Sequence, residues 1–346
     1  MHLNPELTNR LLDWYRVSAR DLPWRRDAEP YRVFLSEIML QQTRAEAVKG
    51  YYDRFLAALP TVSALADADE EKVLKLWEGL GYYSRARNLQ KAARVIAHDL
   101  GGVFPDTCEG LLKLPGVGPY TAGAIASICF GRPVPAVDGN VLRVVSRIAG
   151  VKEAIDLPET KKAVANALSA LYPADAPGDF TQALIELGAT VCLPNGAPKC
   201  EICPAAHLCF ARQAGETARY PVRLEKRARR TQKLTVFHLT SGGAVALRQR
   251  PKRGLLAGLW ELPNVADVLS EQEALDRADA WGARPARLLR SVTRAHIFTH
   301  ITWEMTCYFI ECAARPALFA WADEKAIAET YAVPSAFRMF LEDSDG

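Results

Sequence analysis

The chain has 346 residues, enough for two or three domains, and its 49% hydrophobic content is enough to build real cores. The net charge of +3 and the pI of about 8.4 permit a nucleic-acid partner without requiring one. No run has the length and apolarity of a membrane span, and no apolar leader opens the sequence. These features exclude membrane-spanning and disordered chains, and we expect an intracellular, cytoplasmic protein that binds no membrane.

The first two predicted elements are helices, and the second carries an unusual carboxylate. Apolar residues at helical spacing predict an amphipathic helix over 5–19, and another helix begins at Pro30. On that second helix Val33, Glu37 and Gln41 are four residues apart, so Glu37 lies on a largely apolar face. Burial there would raise the pKa of Glu37 and keep it protonated near neutral pH, as a general acid requires. The alternative is a glutamate that reaches solvent or pairs with an arginine.

Helices are predicted throughout 51–100, and a short helix joined to a tight glycine turn follows them. A capping-box signal formed by Asp106 and Glu109 predicts that this short helix covers about 107–114. A Gly-x-Gly turn at 116–118 then ends it.

The next helix is predicted to begin at Pro119 and to end near Phe130, before Gly131. Its N-terminus and the glycine turn would present free backbone N–H groups, which form an anion site suited to a DNA phosphate. The alternative is an ordinary helical hairpin. Asp138 follows on a loop before further helical patterns at 141–173 and 179–191, and capping a helix is the commonest role for such an aspartate.

Four of the eight cysteines are concentrated in 192–209, with the spacing C-x7-C-x2-C-x5-C. They are Cys192, Cys200, Cys203 and Cys209. Without a secretory signal, this pattern favours an iron–sulfur cluster or a zinc site over a disulfide framework. Zinc sites more often pair two C-x2-C motifs, and this segment contains one.

The last third of the chain has a different pattern. Residues 221–233 carry six basic residues against one acidic residue, which indicates a basic linker that lies along a phosphate backbone or is simply solvated. From 234 onward the pattern is α/β: a hairpin around 241–243, a helix capped by Ser270, a long alternating strand from Ile301 and a last helix at about 335–342.

Two motifs carry a resemblance to a known family. Leu114-Pro-Gly-Val-Gly-Pro-Tyr-Thr-Ala122, followed by Val137-Asp-Gly-Asn140, resembles the helix-hairpin-helix and catalytic-aspartate segment of base-excision DNA glycosylases, in detail their adenine-removing branch. The resemblance covers nearly the whole chain. It implies a multidomain protein with an all-α helix-hairpin-helix glycosylase core, an iron–sulfur cluster loop and a C-terminal α/β Nudix-like domain.

The same resemblance sets expected boundaries. A catalytic region at 1–220 would combine a six-helix module at 28–135 with a cluster-bearing helical module formed by 1–27 and 136–220. A basic linker at 221–233 would lead to a Nudix-like 8-oxoguanine recognition domain at 234–346.

The resemblance also implies a mechanism. Cleaving an N-glycosidic bond leaves positive charge on the sugar and negative charge on the base, so it needs a neutral acid and an ionised carboxylate. Glu37 matches the catalytic acid and would protonate N7 of adenine, while Asp138 would stay ionised and stabilise the sugar cation. Asn140 would hold water or the acid by hydrogen bonds. Tyr120 stands where endonuclease III-like relatives carry a Schiff-base lysine, so we expect a monofunctional glycosylase.

Further contacts follow from the same resemblance. The amide of Gln182 would pair with the edge of the extruded adenine, and Gln41 and Tyr82 would form a wedge in the base stack. Phe298-Thr299-His300 resembles the loop that detects 8-oxoguanine, usually Phe-Ser-His, and threonine keeps the hydroxyl. The remaining implied groups are substrate-binding Trp24 and Arg25, phosphate-binding Gly116 and Gly118, and a 4Fe–4S cluster on Cys192, Cys200, Cys203 and Cys209. The family has six residues between the first two cysteines, and this chain has seven.

The leading hypothesis is therefore a monomeric, monofunctional glycosylase that binds double-stranded DNA and removes adenine mispaired with 8-oxoguanine or guanine. A thymine-mismatch glycosylase of the same fold is the main alternative, since such relatives also carry the hairpin tyrosine, but Gln182 and the C-terminal domain argue against it. A non-enzymatic mismatch-binding protein would have no use for a buried acid opposite a carboxylate. A nucleotide pyrophosphatase would need several glutamate ligands for magnesium, and Ala280 stands where one would be.

Overall fold

The computed structural model describes residues 1–225 and 228–342, which form two compact units. The helical unit comprises Met1–Asp67 and Asn88–Glu225, and the sheet unit comprises Ala68–Arg87 with residues 228–342. Two residues of the expected linker, Lys226 and Arg227, lie outside the described residues, as does the end of the chain at 343–346. Within the described ranges, no helix has the length and apolarity needed to cross a membrane.

The helices are numbered here in chain order. They are α1 (Glu6–Ser18), α2 (Pro30–Leu40), α3 (Ala45–Ala58), α4 (Val62–Asp67), α5 (Glu70–Leu76), α6 (Ser84–Arg94), α7 (Cys108–Leu111), α8 (Pro119–Phe130), α9 (Gly139–Ala149), α10 (Pro158–Ser169), α11 (Pro177–Thr190), α12 (Phe210–Gln213), α13 (Glu271–Ala280), α14 (Glu324–Glu329) and α15 (Ser335–Glu342). Residues 51–100 are not helical throughout as expected, because loops separate α3 to α6, and a loop also divides 141–173 between α9 and α10.

Local signals fix the two helices that matter most for the site. The side chain of Glu29 caps α2 by accepting from the backbone N–H groups of Tyr31 and Arg32. Helix α8 begins at Pro119 and ends at Phe130, and its C-cap residue Gly131 has a left-handed φ of 62°, so the predicted bounds are confirmed.

The predicted capping box before α7 is wrong. Thr107 is the N-cap, and its hydroxyl accepts from the backbone N–H of Gly110. The carboxylate of Asp106 pairs instead with Arg132, and α7 is shorter than expected, ending at Leu111.

The helical unit has a core between α1, α9, α10 and α11. Fully buried side chains from these helices include Leu7, Leu11, Val145, Phe180 and Leu184. Burying each of these large apolar side chains away from water stabilises the packed helices by roughly 1.5–3 kcal/mol. This packing fixes α1 against α11, and both helices carry residues of the site described below.

The sheet unit contains β1 (Arg230–Ser241), β2 (Ala244–Gln249), β3 (Trp260–Glu261), β4 (Asn264–Val265), β5 (Pro285–Ile297), β6 (Ile301–Cys312) and β7 (Ala320–Ala322). The strand order is β3-β2-β1-β6-β5, with β4 also paired to β1 and β7 to β2. The predicted hairpin is confirmed, since Ser241 pairs with Ala244 in antiparallel register. Strands β1 and β6 are parallel, and β5 and β6 form a long antiparallel hairpin.

Both faces of this sheet are covered. One core contains Trp303, Met305 and Phe337, and the other contains Phe237, Ala274 and Ile310. The Ser270–Glu273 capping box that starts α13 is present as predicted, and so are the last helix and the long strand β6. Strand β1 already begins at Arg230, inside the range whose composition indicates a linker.

The sheet unit also includes a segment from the first third of the chain. Nζ of Lys75, on α5, donates to the carbonyl oxygens of Ile327 and Tyr331 at 2.9 and 3.0 Å. The carboxylate of Glu78 accepts from the backbone N–H of Val333 at 2.8 Å. These partly buried, charge-assisted bonds attach 68–87 to α14 and the segment that follows it.

Candidate active site

Glu37 lies in the middle of α2 with 6% of its surface exposed. Burial raises the pKa of Glu37 to about 7, although a hydrogen bond with Tyr120 opposes the rise. Its Oε2 atom is buried and has no hydrogen-bond partner among the described residues. The predicted burial of Glu37 and the predicted rise of its pKa are confirmed, and its unpartnered Oε2 atom is available to carry a proton.

Tyr120 is the second residue of α8 and is hydrogen-bonded to Glu37. Burial, together with the nearby carboxylates of Glu37 and Asp138, raises the pKa of Tyr120 well above its usual value. The phenol therefore stays protonated, and it stabilises the ionised form of Glu37 by donating to it.

Asp138 is the N-cap residue of α9, so the capping role considered from the sequence is present. Its Oδ1 atom accepts from the backbone N–H of Val141 and its Oδ2 atom from the amide of Asn140, both at 2.7 Å. Burial raises the pKa of Asp138, while these two hydrogen bonds and the charge of Arg143 favour the carboxylate. Both oxygens of Asp138 thus accept a hydrogen bond, whereas Oε2 of Glu37 accepts none from the described residues.

Asn140 is held in turn by an arginine that the sequence reasoning missed. Arg143 is 4% exposed, and its Nη2 atom donates to Oδ1 of Asn140 at 2.9 Å and to the carbonyl of Gly188 at 2.7 Å. Its Nε atom donates to the carbonyl of Cys192 at 2.8 Å. A continuous set of hydrogen bonds therefore joins Asp138 to the start of the cysteine segment. The only sequence signal was an arginine on the buried face of α9.

Glu37, Tyr120, Asp138 and Asn140 line one cavity of about 960 Å³. Its lining includes the eight helical-unit residues predicted for chemistry and base binding: Glu37, Asp138, Asn140, Tyr120, Gln182, Trp24, Arg25 and Gln41. A cavity of this size can enclose a nucleoside. The structure thus brings together residues that lie up to 158 positions apart, from Trp24 to Gln182.

A cluster of one buried carboxylate and two arginines lies beside this cavity. Glu186 is fully buried and accepts from Arg20 at 2.7 Å and from Arg25 at 2.8 Å. Burial alone would raise the pKa of Glu186, but these hydrogen bonds hold it below its usual value. Glu186 therefore fixes the guanidinium group of Arg25 at the cavity wall.

The glycine turn before α8 has a steric requirement. Gly116 has a φ of 77°, and a Cβ atom there would lie 2.5 Å from Cβ of Asn88. Gly118 is different, because its φ is −96° and a Cβ atom would meet nothing within 4 Å. Only Gly116 therefore needs to be glycine for the turn itself.

The four cysteines of the 192–209 segment line one small cavity together with Arg147, Lys199 and Arg212. Arg147 is buried, and its Nη1 atom donates to Sγ of Cys192 at 3.2 Å. No three His, Cys, Asp or Glu side chains within 1–225 and 228–342 are close enough to hold a single metal ion. Four sulfur donors around a cavity, with a buried arginine beside them, fit the donor set of an anionic metal centre held by four thiolates.

The predicted recognition loop forms the turn between β5 and β6. Phe298 packs on Trp303, with ring centroids 4.8 Å apart, and His300 is exposed. Thr299 shares a hydrogen bond of 2.8 Å with the hydroxyl of Tyr82. Tyr82 has a positive φ of 46° and is 45% exposed, so its ring is presented to solvent beside this turn.

Comparison with known proteins identifies the class of protein to which this chain belongs. The family model of the HhH-GPD superfamily of base excision DNA repair proteins matches 35–174, and a NUDIX domain model matches 235–343. The expected architecture, a helix-hairpin-helix core followed by a Nudix-like domain, is confirmed.

Individual relatives narrow the family. Adenine DNA glycosylase of Mus musculus is 36% identical over 408 residues, covering 98% of this chain and 78% of that protein. The chain belongs to the adenine DNA glycosylase family. A thermostable thymine-DNA glycosylase structure is 31% identical with a TM-score of 0.56, covering 60% of this chain and 96% of that one. A non-covalent endonuclease III–DNA complex, 24% identical with a TM-score of 0.52, covers 62% of this chain and 98% of that one and supports the fold alone.

Proposed function

We propose that this chain is a monofunctional DNA glycosylase that removes adenine mispaired with 8-oxoguanine or guanine. The observation that carries the proposal is the pair of carboxyl groups in one cavity: Glu37 with its raised pKa and free Oε2, and Asp138 with two hydrogen-bond donors. Such a pair divides the work between an acid and a carboxylate. The thymine alternative is weaker because the adenine relative spans 98% of the chain, whereas the thymine-DNA glycosylase spans 60%.

The chemistry follows from this division. The proton on Glu37 passes to N7 of the extruded adenine, the C1′–N9 bond breaks, and its electron pair leaves with the base. Asp138 stabilises the resulting sugar cation until water adds to C1′, and the proton that this water loses passes to the Glu37 carboxylate and restores the acid. Tyr120 donates to the Glu37 carboxylate once its proton has gone, which lowers the cost of the buried charge.

Hydrolysis without strand cleavage is proposed because a Schiff base needs an amine. No lysine belongs to the lining of the cavity within the described residues, and Tyr120 occupies the hairpin position. A phenol that stays protonated cannot replace an amine as the nucleophile.

Recognition of the base opposite adenine is proposed for the sheet unit. Phe298, Thr299 and His300 offer a ring, a hydroxyl and an imidazole on one turn, next to the exposed ring of Tyr82. Recognition of a modified purine needs an aromatic ring that stacks on the base and polar groups that form hydrogen bonds with its edge. We propose that this turn distinguishes 8-oxoguanine from other bases and that Tyr82, with Gln41, supports the opened base stack.

We propose that Cys192, Cys200, Cys203 and Cys209 hold a 4Fe–4S cluster with a structural role. When bound, the cluster supplies four iron–thiolate bonds that close the loop, and no step of base release needs it. Iron and sulfide analysis of anaerobically purified protein tests this. Four iron atoms per chain are expected, and colourless, iron-free protein would contradict it.

We further propose that a single copy acts on double-stranded DNA, with the Gly116–Gly118 turn and the N-terminus of α8 holding a phosphate. The Glu37→Gln and Asp138→Asn variants test the proposed pair of acid and carboxylate. Adenine release should vanish in both while binding to the mispaired duplex persists, and Asp13→Asn on the exposed face of α1 should release adenine normally. Normal release by Glu37→Gln would exclude the proposed acid.

A further inference from the structure

A tyrosine outside the predicted site contacts the amide that is proposed to read the base. Tyr15 lies on α1 and is 8% exposed. Its hydroxyl donates to Oε1 of Gln182, on α11, at 3.0 Å. Because Tyr15 belongs to the buried core that packs α1 against α11, its hydroxyl is held at a fixed place beside the Gln182 side chain, which lines the cavity.

The guanidinium group of Arg25 lies over the ring of Tyr15. The guanidinium carbon of Arg25 lies 5.6 Å from the ring centroid, and Nη2 of Arg25 donates to the buried carboxylate of Glu186 at 2.8 Å. A cation over a phenol draws electron density from it, which strengthens the O–H as a donor and weakens the oxygen as an acceptor. The hydroxyl therefore prefers the oxygen of the Gln182 amide to its nitrogen.

The orientation of that amide matters for base choice. A primary amide has an acceptor on one arm and two donors on the other, and a rotation of half a turn exchanges them. Adenine presents an amino donor next to a ring-nitrogen acceptor, whereas a 6-oxopurine presents an oxygen acceptor next to a ring N–H donor. One orientation of the amide pairs with adenine, and the opposite orientation pairs with the 6-oxopurine.

We propose that Tyr15 is a positioning residue that fixes the orientation of the Gln182 amide and thereby favours adenine over 6-oxopurines. Tyr15 acts through Gln182 and touches no reacting atom. The inference rests on the proposed function, because it requires Gln182 to face the extruded base.

The direct test is Tyr15→Phe in the full-length protein, which keeps the ring and its contact with Arg25 and removes only the hydroxyl. Single-turnover release would be measured from duplexes with adenine or hypoxanthine opposite 8-oxoguanine. The preference for adenine should fall about fivefold to tenfold, the value expected from one lost hydrogen bond, mainly through slower adenine release. An unchanged preference would overturn the inference.

Two controls separate positioning from general damage. Tyr31→Phe removes another buried hydroxyl, which donates to the carbonyl of Leu59 at 2.7 Å, and it should leave the preference unchanged. In a Gln182→Ala background, Tyr15→Phe should have no further effect, because the two residues act as one unit. An equal fall in Tyr31→Phe, or a full effect of Tyr15→Phe without Gln182, would refute the proposed role. Wild-type protein that releases no adenine would instead overturn the proposed function, and this inference with it.

Discussion

The side-chain amide of Asn140 donates to Oδ2 of Asp138 at 2.7 Å, while the backbone N–H of Val141, the third residue of α9, donates to the other carboxylate oxygen. A carboxylate with donors on both oxygens is stabilised in its charged form, even where burial disfavours charge. Asp138 and Glu37 thus differ in their surroundings, although both are acids in the same cavity. That difference is the physical basis for their proposed roles.

Replacing Asn140 with alanine should raise the pKa of Asp138 further, because one oxygen loses its donor. A hydrogen bond to a charged group contributes about 1.5–3 kcal/mol, so base release should slow by roughly one to two orders of magnitude. Single-turnover rates at several pH values check this, and the loss should be greatest at low pH. A loss that does not depend on pH would argue against a role through Asp138.

The pH dependence of kcat/KM should follow Glu37 on its alkaline side. The proton donor must be protonated, and its pKa is raised to about 7, so kcat/KM should fall as the pH rises through this value. The fall should approach tenfold per pH unit. Retention of full activity well above this pH would show that another group supplies the proton.

Glu37 also links stability to pH. Its pKa rises from 4.5 to about 7 on folding, so its favourable contribution is complete below 4.5 and is lost as the pH rises through 7. By pH 8 the wild type should lose roughly 3 kcal/mol relative to Glu37→Gln, which carries no titrating group there. Urea unfolding of the two proteins at pH 4.5 and pH 8 measures the difference. Equal pH dependence in both proteins would contradict the buried, neutral state.

Much of this site could be predicted from the sequence because the signals were local. The apolar spacing around Glu37 predicted its burial, and Pro119 with Gly131 predicted the ends of α8. The cap of α7 could not be predicted, because Arg132 engages Asp106 from 26 positions away and leaves the capping role to Thr107.

Contacts between helices that are distant in the sequence could not be predicted either. The bonds from Arg143 to the carbonyl of Gly188 and from Tyr15 to Gln182 depend on how α9 and α1 pack against α11. The attachment of Lys75 to carbonyl oxygens more than 250 positions later depends on the fold of the sheet unit. Periodicity identifies a helix and its buried face, but it does not identify the neighbour on that face.

The glycine turn gives a matched pair of substitutions. Gly116→Ala should destabilise the helical unit by more than about 1 kcal/mol, because it combines a left-handed φ with a contact against Asn88, and it should weaken duplex binding. Gly118→Ala has room for its Cβ atom and should change stability much less. Thermal unfolding and duplex titration of both variants check this, and equal destabilisation would show that the turn does not require the predicted geometry.

The central claim is tested most directly by single-turnover base release from four otherwise identical duplexes. They carry adenine opposite 8-oxoguanine, adenine opposite guanine, thymine opposite guanine, or adenine opposite thymine, and each is scored with and without alkali. The proposed function predicts adenine loss that is fastest opposite 8-oxoguanine and appears as strand breaks only after alkali. Thymine loss, strand cleavage without alkali, or tight binding without any release would contradict the account.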